Sequence, residues 1–171
     1  MLLTIADLPG VGWQQLSESG WRTGITSLRR PASRRAYETG AFIALRRFRQ
    51  EDPRRGLFCE VLPMATSDDA EYQVRNGRSG LVRNPGVVRL DERVVKGIEV
   101  PGVENPLIWE DTYAQRDLRG YHWNIFGRIE TVAFLISGSA IDEGWSWSEL
   151  VPIATAQAMK IEAKVAVDGM D

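Results

Sequence analysis

The sequence predicts an α+β domain in which an antiparallel sheet of about five to seven strands is packed by two main helices. Three observations carry that expectation. Runs rich in β-branched and aromatic residues recur along the chain and are separated by turn residues, in the order of successive hairpins. Only two segments hold helical spacing, one mid-chain and one near the end. The 171 residues, 43% apolar and 26% charged, suffice to bury one ordinary core. Two helices are too few for a doubly wound parallel sheet, whose strands need crossover helices between them.

No repeat, low-complexity tract or linker divides the chain, so residues 1–171 are expected to form a single domain. Residues 3–12 read as a short apolar turn ending at Pro9-Gly10, and 13–21 as an irregular strand or arm anchored by Trp13 and Trp21. The stretch 29–38, with Pro31 and four arginines, reads as a surface loop or short helix. Residues 41–48 and 57–62 suit an antiparallel pair joined by the turn Asp52-Pro53-Arg54-Arg55-Gly56. Thr66-Ser67-Asp68-Asp69 is a helix-start signal, since hydroxyl caps and acids match the exposed N–H groups of a first turn. Ala70, Val74, Gly77 and Leu81 then form one narrow stripe, and the glycines predict a stop near Arg78.

Strands follow at 87–95 and 107–113, separated by a Gly/Pro/Asn-rich loop over 97–106. Gly120 is expected to break the chain before Tyr121, and Gly127-Arg128 to mark a turn or bulge ahead of the strand 129–136. The terminal helix is the stronger of the two. Trp147, Val151, Ala154, Ala158, Ile161 and Val165 share one face, and Ser146 with Glu149 fits a capping box. Pro152 lacks the N–H for a bond back to Ser148, so the helix is expected to begin near Val151, and the tail from 167 to fray.

Charge is uneven. Residues 1–55 hold ten arginines (Arg22, Arg29, Arg30, Arg34, Arg35, Arg46, Arg47, Arg49, Arg54, Arg55) against five acids, yet the whole chain carries a net charge of −2. Pairing within the molecule is the plainest expectation, with a basic face as the alternative. A nucleic-acid accessory role for the stretch 29–55, with Trp21 or Tyr37 stacking, runs against the acidic overall balance.

Reactive residues are scarce. Cys59 is the single cysteine, so no disulfide closes within the chain, and apolar strand neighbours mark its thiol as a core group. His122 is the single histidine, and any hydrolase or transferase must centre on it, with carboxylates such as Asp111. The glycines of Gly10-Val-Gly12 and Gly77-Arg-Ser-Gly80 lack the lysine and setting of a phosphate loop. Asp68-Asp69, Glu110-Asp111 and Asp142-Glu143 are adjacent rather than convergent, and neighbours on a strand point to opposite faces. No cofactor or metal is called for, and the inventory leans away from catalysis.

The aromatic residues offer more. Trp109, Tyr113, Tyr121 and Trp123 fall on two neighbouring strands at period-two spacing, and could line one concave patch for an apolar ligand or a partner surface. The alternative is that they pack under the helices.

The opening Leu2-Leu3-Thr4-Ile5-Ala6-Asp7-Leu8-Pro9 followed by Gly12-Trp13 resembles the start of actinobacterial sensor-like and lipoprotein-like domains. So does the end, where Gly127-Arg128 leads into a strand and Ala154-Thr-Ala-Gln157 with Lys160-Ile161 lies on the last helix. The resemblance implies a PsbP-like α/β/α sandwich and brings no functional residue with it. Such domains are usually exported and their kinase-linked members use disulfides, whereas this chain shows no leader and has one cysteine.

The resulting expectation is a non-enzymatic, sensor-like binding or interaction module anchored by those four rings. Its partner would be a small apolar ligand or a protein, with a homo-oligomer left open. No apolar run reaches the ~20 residues of a membrane helix, so the expected location is cytoplasmic, or extracytoplasmic if a leader has been removed.

Overall fold

The computed structural model describes residues 1–22, 42–76, 87–115, 118–141 and 144–168. The expectations that fall on 29–38, Tyr37, Gly77 to Leu81, Asp142-Glu143 and the last three residues lie outside this set. Among the described residues seven strands form one antiparallel sheet: β1 (Trp13–Arg22), β2 (Phe42–Gln50), β3 (Arg55–Pro63), β4 (Val87–Val94), β5 (Leu107–Gln115), β6 (Leu118–Ile129) and β7 (Val132–Ala140). Their spatial order is β1-β2-β3-β7-β6-β5-β4. Two meanders therefore meet where β3 pairs with β7, Cys59 opposite Ile136.

A helix packs on each face. Side chains alternate along every strand, so register decides which helix each one meets. Leu57, Cys59 and Val61 of β3, Phe134 and Ile136 of β7 and Ile125 of β6 point to α2 (Trp147–Asp168) and meet its Leu150, Ile153, Ala154, Ala158 and Ile161. Their neighbours Leu62, Leu135, Ala133, Phe126 and Trp109 point the other way, to Ala70 and Val74 of α1 (Ser67–Asn76). Among the described residues, no helix is long and apolar enough to cross a membrane.

Both helix starts use the side chains read from the sequence. Thr66 Oγ1 accepts from the backbone N–H of Asp69 at 3.1 Å. The carboxylate of Glu149 accepts from the N–H of Ser146 at 3.0 Å and from its hydroxyl at 2.8 Å. The terminal helix nevertheless begins at Trp147 and runs through Pro152, not from Val151. Pro152 forfeits one bond to the carbonyl of Ser148, an exposed residue whose oxygen water can serve. The capped first turn and the complete burial of Leu150 outweigh that loss.

Two glycine readings are corrected as well. Gly120 and Gly127 lie inside β6, which continues to Ile129, and the turn falls at Glu130-Thr131. Each glycine makes room for a ring. A Cβ on Gly120 would stand 2.3 Å from the Tyr113 ring, and one on Gly127 would stand 2.8 Å from that of Phe134.

The N-terminal segment is fastened to α2 by Gln157, which is fully buried. Its amide donates to the carbonyl of Met1 at 2.6 Å and its oxygen accepts from the N–H of Leu3 at 3.3 Å. Lys160 pairs with Asp7 at 3.2 Å just beyond.

Candidate functional site

The β5–β6 register separates the four candidate rings. Trp109 lies opposite Asn124, Asp111 opposite His122 and Tyr113 opposite Gly120, so Trp109 and Tyr113 face α1. Tyr121 and Trp123 lie opposite Thr112 and Glu110, on the α2 face. The strands pair as expected, but the expected single patch does not form, because residues with this pairing differ by one in parity. Trp109 is fully buried among the α1-face core residues, and its indole N–H has no acceptor among the described residues.

Tyr121 and Trp123 stay together. Their ring centroids lie 6.0 Å apart, tilted by 35°. They line a surface pocket of about 320 Å³ with Thr112, Asp91, Glu110 and Arg93, and with Asp111 and His122 of the same strands. Arg93 pairs with Glu110 across β4 and β5, so the rim offers donors and acceptors above an aromatic floor. The far edge of the Trp123 ring rests against Gly144, where a Cβ would come within 2.7 Å.

On the α1 face, four polar side chains from three strands form a chain of hydrogen bonds. Ser137 donates to Asn124 at 2.6 Å, Asn124 donates to one oxygen of Asp111 at 3.2 Å, and the other oxygen meets His122 Nδ1 at 3.0 Å. Asn124 and Asp111 are buried, which makes each partner necessary to the other. His122 is half-buried and stacks on Tyr113 with centroids 4.3 Å apart and planes 18° from parallel. The sequence could not show this row, since its members become neighbours only through register. Glu110 and Asp111 do point to opposite faces, as adjacent strand residues must.

A second concavity, of about 430 Å³, opens on the same α1 face near the β2–β3 turn. Arg47, Arg49, Phe58, Tyr113 and Ser139 line it from the sheet, and Arg54 from the turn. Of the arginines of residues 1–55, Arg46 pairs with Glu18 at 2.8 Å, Arg49 with Glu51 at 2.9 Å and Arg55 with Glu149 at 2.7 Å. Arg55 is further held by Trp145, 4.3 Å below its guanidinium. Of the five arginines here whose side chains are described, three thus pair within the molecule, and Arg47 and Arg54 have no ion pair among the described residues.

Cys59 is completely buried on the α2 face, and burial pushes its thiol up to about 11, so it carries no reactive thiolate near neutral pH. Among the described residues, no three His, Cys, Asp or Glu side chains come close enough together to hold a metal ion. No family model matches the chain, and no curated protein or solved structure does either.

Proposed function

We propose that the chain is a non-enzymatic, sensor-like binding module whose ligand is a small molecule with a flat apolar body. The ligand packs against Tyr121 and Trp123 and is oriented by the polar rim of Thr112, Asp91 and the Arg93–Glu110 pair. The observation that carries this reading is the pair of adjacent, half-buried rings flooring a pocket of about 320 Å³. Half-exposed aromatic faces gain from covering by another apolar group, while fixed polar atoms at the rim select its orientation. A PsbP-like relationship is supported by the single antiparallel sheet with a helix on either side.

Titration with indole and with decanoate, followed by thermal shift and tryptophan fluorescence, tests the reading. Saturable binding of one of them, weakened about tenfold or more in Tyr121→Ala and Trp123→Ala, supports it; tenfold is ~1.4 kcal/mol, the scale of one aromatic contact. Failure of both probes to saturate, or equal binding by both variants, overturns it.

A hydrolase centred on His122 is the second reading, supported by the 3.0 Å contact that lets Asp111 orient the imidazole as a general base. It requires turnover of an activated ester such as p-nitrophenyl acetate that His122→Gln lowers by about two orders of magnitude. A background rate unchanged by that substitution removes it.

A further inference from the structure

The arginine-lined concavity on the α1 face has features that neither the core nor the Tyr121–Trp123 pocket requires. Four arginines border it, Arg47, Arg49, Arg54 and Arg55, but the Arg55 guanidinium turns to the α2 face, where it meets Glu149 and Trp145. Two are engaged, Arg49 with Glu51 and Arg55 with Glu149. Arg47 and Arg54 make no ion pair among the described residues, and both are exposed. Two uncompensated positive charges therefore border one cavity, in a chain whose net charge is −2.

The rest of the lining is chosen as if for a ring. The Arg47 guanidinium lies 5.9 Å from the centroid of Phe58, on the neighbouring strand. Tyr113 lies across Gly120 and stacks on His122, which Asp111 holds in turn at 3.0 Å. Its ring is thus fixed before any ligand arrives, and little side-chain freedom is left to lose on binding. At the wall, Gly56 faces Ser139 across β3 and β7. A side chain at Gly56 would begin 2.8 Å from the Ser139 hydroxyl; its absence leaves that hydroxyl open to the cavity, without a hydrogen-bond partner among the described residues.

We propose that this concavity is an anion site for a small planar molecule bearing an oxyanion, an aryl carboxylate or aryl phosphate. Arg47 and Arg54 hold the anionic group, the Ser139 hydroxyl donates to it, and the ring of the ligand lies against Phe58 and Tyr113. Guanidinium forks match the paired oxygens of a carboxylate or phosphate, and their hydrogen bonds are stronger for being charged on both sides. The site lies on the opposite face of the sheet from Tyr121 and Trp123 and does not depend on the function proposed for that pocket.

Calorimetric titration with phenyl phosphate, benzoate and inorganic phosphate at low salt tests the assignment. Phenyl phosphate or benzoate should bind saturably and more tightly than inorganic phosphate, and the tighter of the two identifies the anionic group. Arg47→Gln and Arg54→Gln should each weaken that binding about tenfold. Added salt should weaken it in the native protein, and less steeply in the double variant. Gly56→Ala, which fills space beside Ser139 with a single methyl, should also weaken it, while Tyr121→Ala leaves it unchanged. Equal affinity for inorganic phosphate, or binding that survives loss of both arginines, overturns the proposal. So does tighter binding of a single-stranded oligonucleotide than of either ring compound, which would assign the charges to nucleic acid.

Discussion

Beneath the 22-residue α2, the sheet presents an unbroken apolar surface: Leu57, Cys59, Val61, Phe134, Ile136 and Ile125 meet Leu150, Ile153, Ala158 and Ile161. Beneath the 10-residue α1, the same strands gather their buried apolar residues toward one end, around Leu62, Phe126 and Leu135. Further along, that face carries Asn124, Asp111, His122, Ser137 and Ser139, and beyond them the unpaired arginines. Five strands, β2, β3, β5, β6 and β7, supply core residues to both faces, so the contrast arises from alternate positions along single strands. The long helix covers a continuous apolar centre, and polar groups on its side, such as Gln157 and Arg55, are each held by a specific partner. A short one leaves room for polar groups, which must then satisfy one another.

Neighbouring residues of β7 separate the two faces most directly. Phe134→Ala removes a fully buried ring under α2, and the expected cost is about 3–5 kcal/mol, against about 2–3 kcal/mol for Leu135→Ala on the α1 face. Urea denaturation gives both values. A larger cost at Leu135 would mean that the short helix, not the long one, anchors the sheet.

The apolar centre beneath α2 has a pH signature in Cys59. Burial pushes its thiol up to about 11, so the folded state disfavours the thiolate. Stability from this group is fully present below about pH 9 and is lost as pH rises toward 11, by ~2–3 kcal/mol in total. Urea midpoints for the native chain and Cys59→Ala, compared between pH 8 and 11, isolate the effect from other titrations. Parallel decline of the two proteins would show that water already reaches the thiol.

How far the sequence reached follows from the range of the interactions involved. Caps are local, and both Thr66 with Asp69 and Ser146 with Glu149 form as their spacing suggests. Strand runs are nearly local, and the segments around β2, β3, β4 and β5 were legible to within a residue or two of their observed ends. Register is not local. Nothing within β5 or β6 alone states that Tyr113 meets Gly120, yet that pairing sends Tyr121 to the opposite face and assembles Asp111 with His122. The glycines misled for the same reason. Gly120 and Gly127 have the look of breaks, but each is a space kept for a ring on an adjacent strand. Pro152 lacks one donor, a local loss that the burial of Leu150, a long-range gain, offsets.

The junction of β3 with β7 bears on how the molecule comes into being at the ribosome. The first three strands emerge early, but the partner of β3 is the last strand to be made, so its hydrogen-bonding edge stays open while most of the chain is synthesised. Pairings between segments so distant in sequence form slowly, and an uncovered apolar edge invites the wrong neighbour in the meantime. The chain's vulnerability to aggregation is therefore concentrated in the interval before Val132 to Ala140 arrives, after which the centre of the sheet closes.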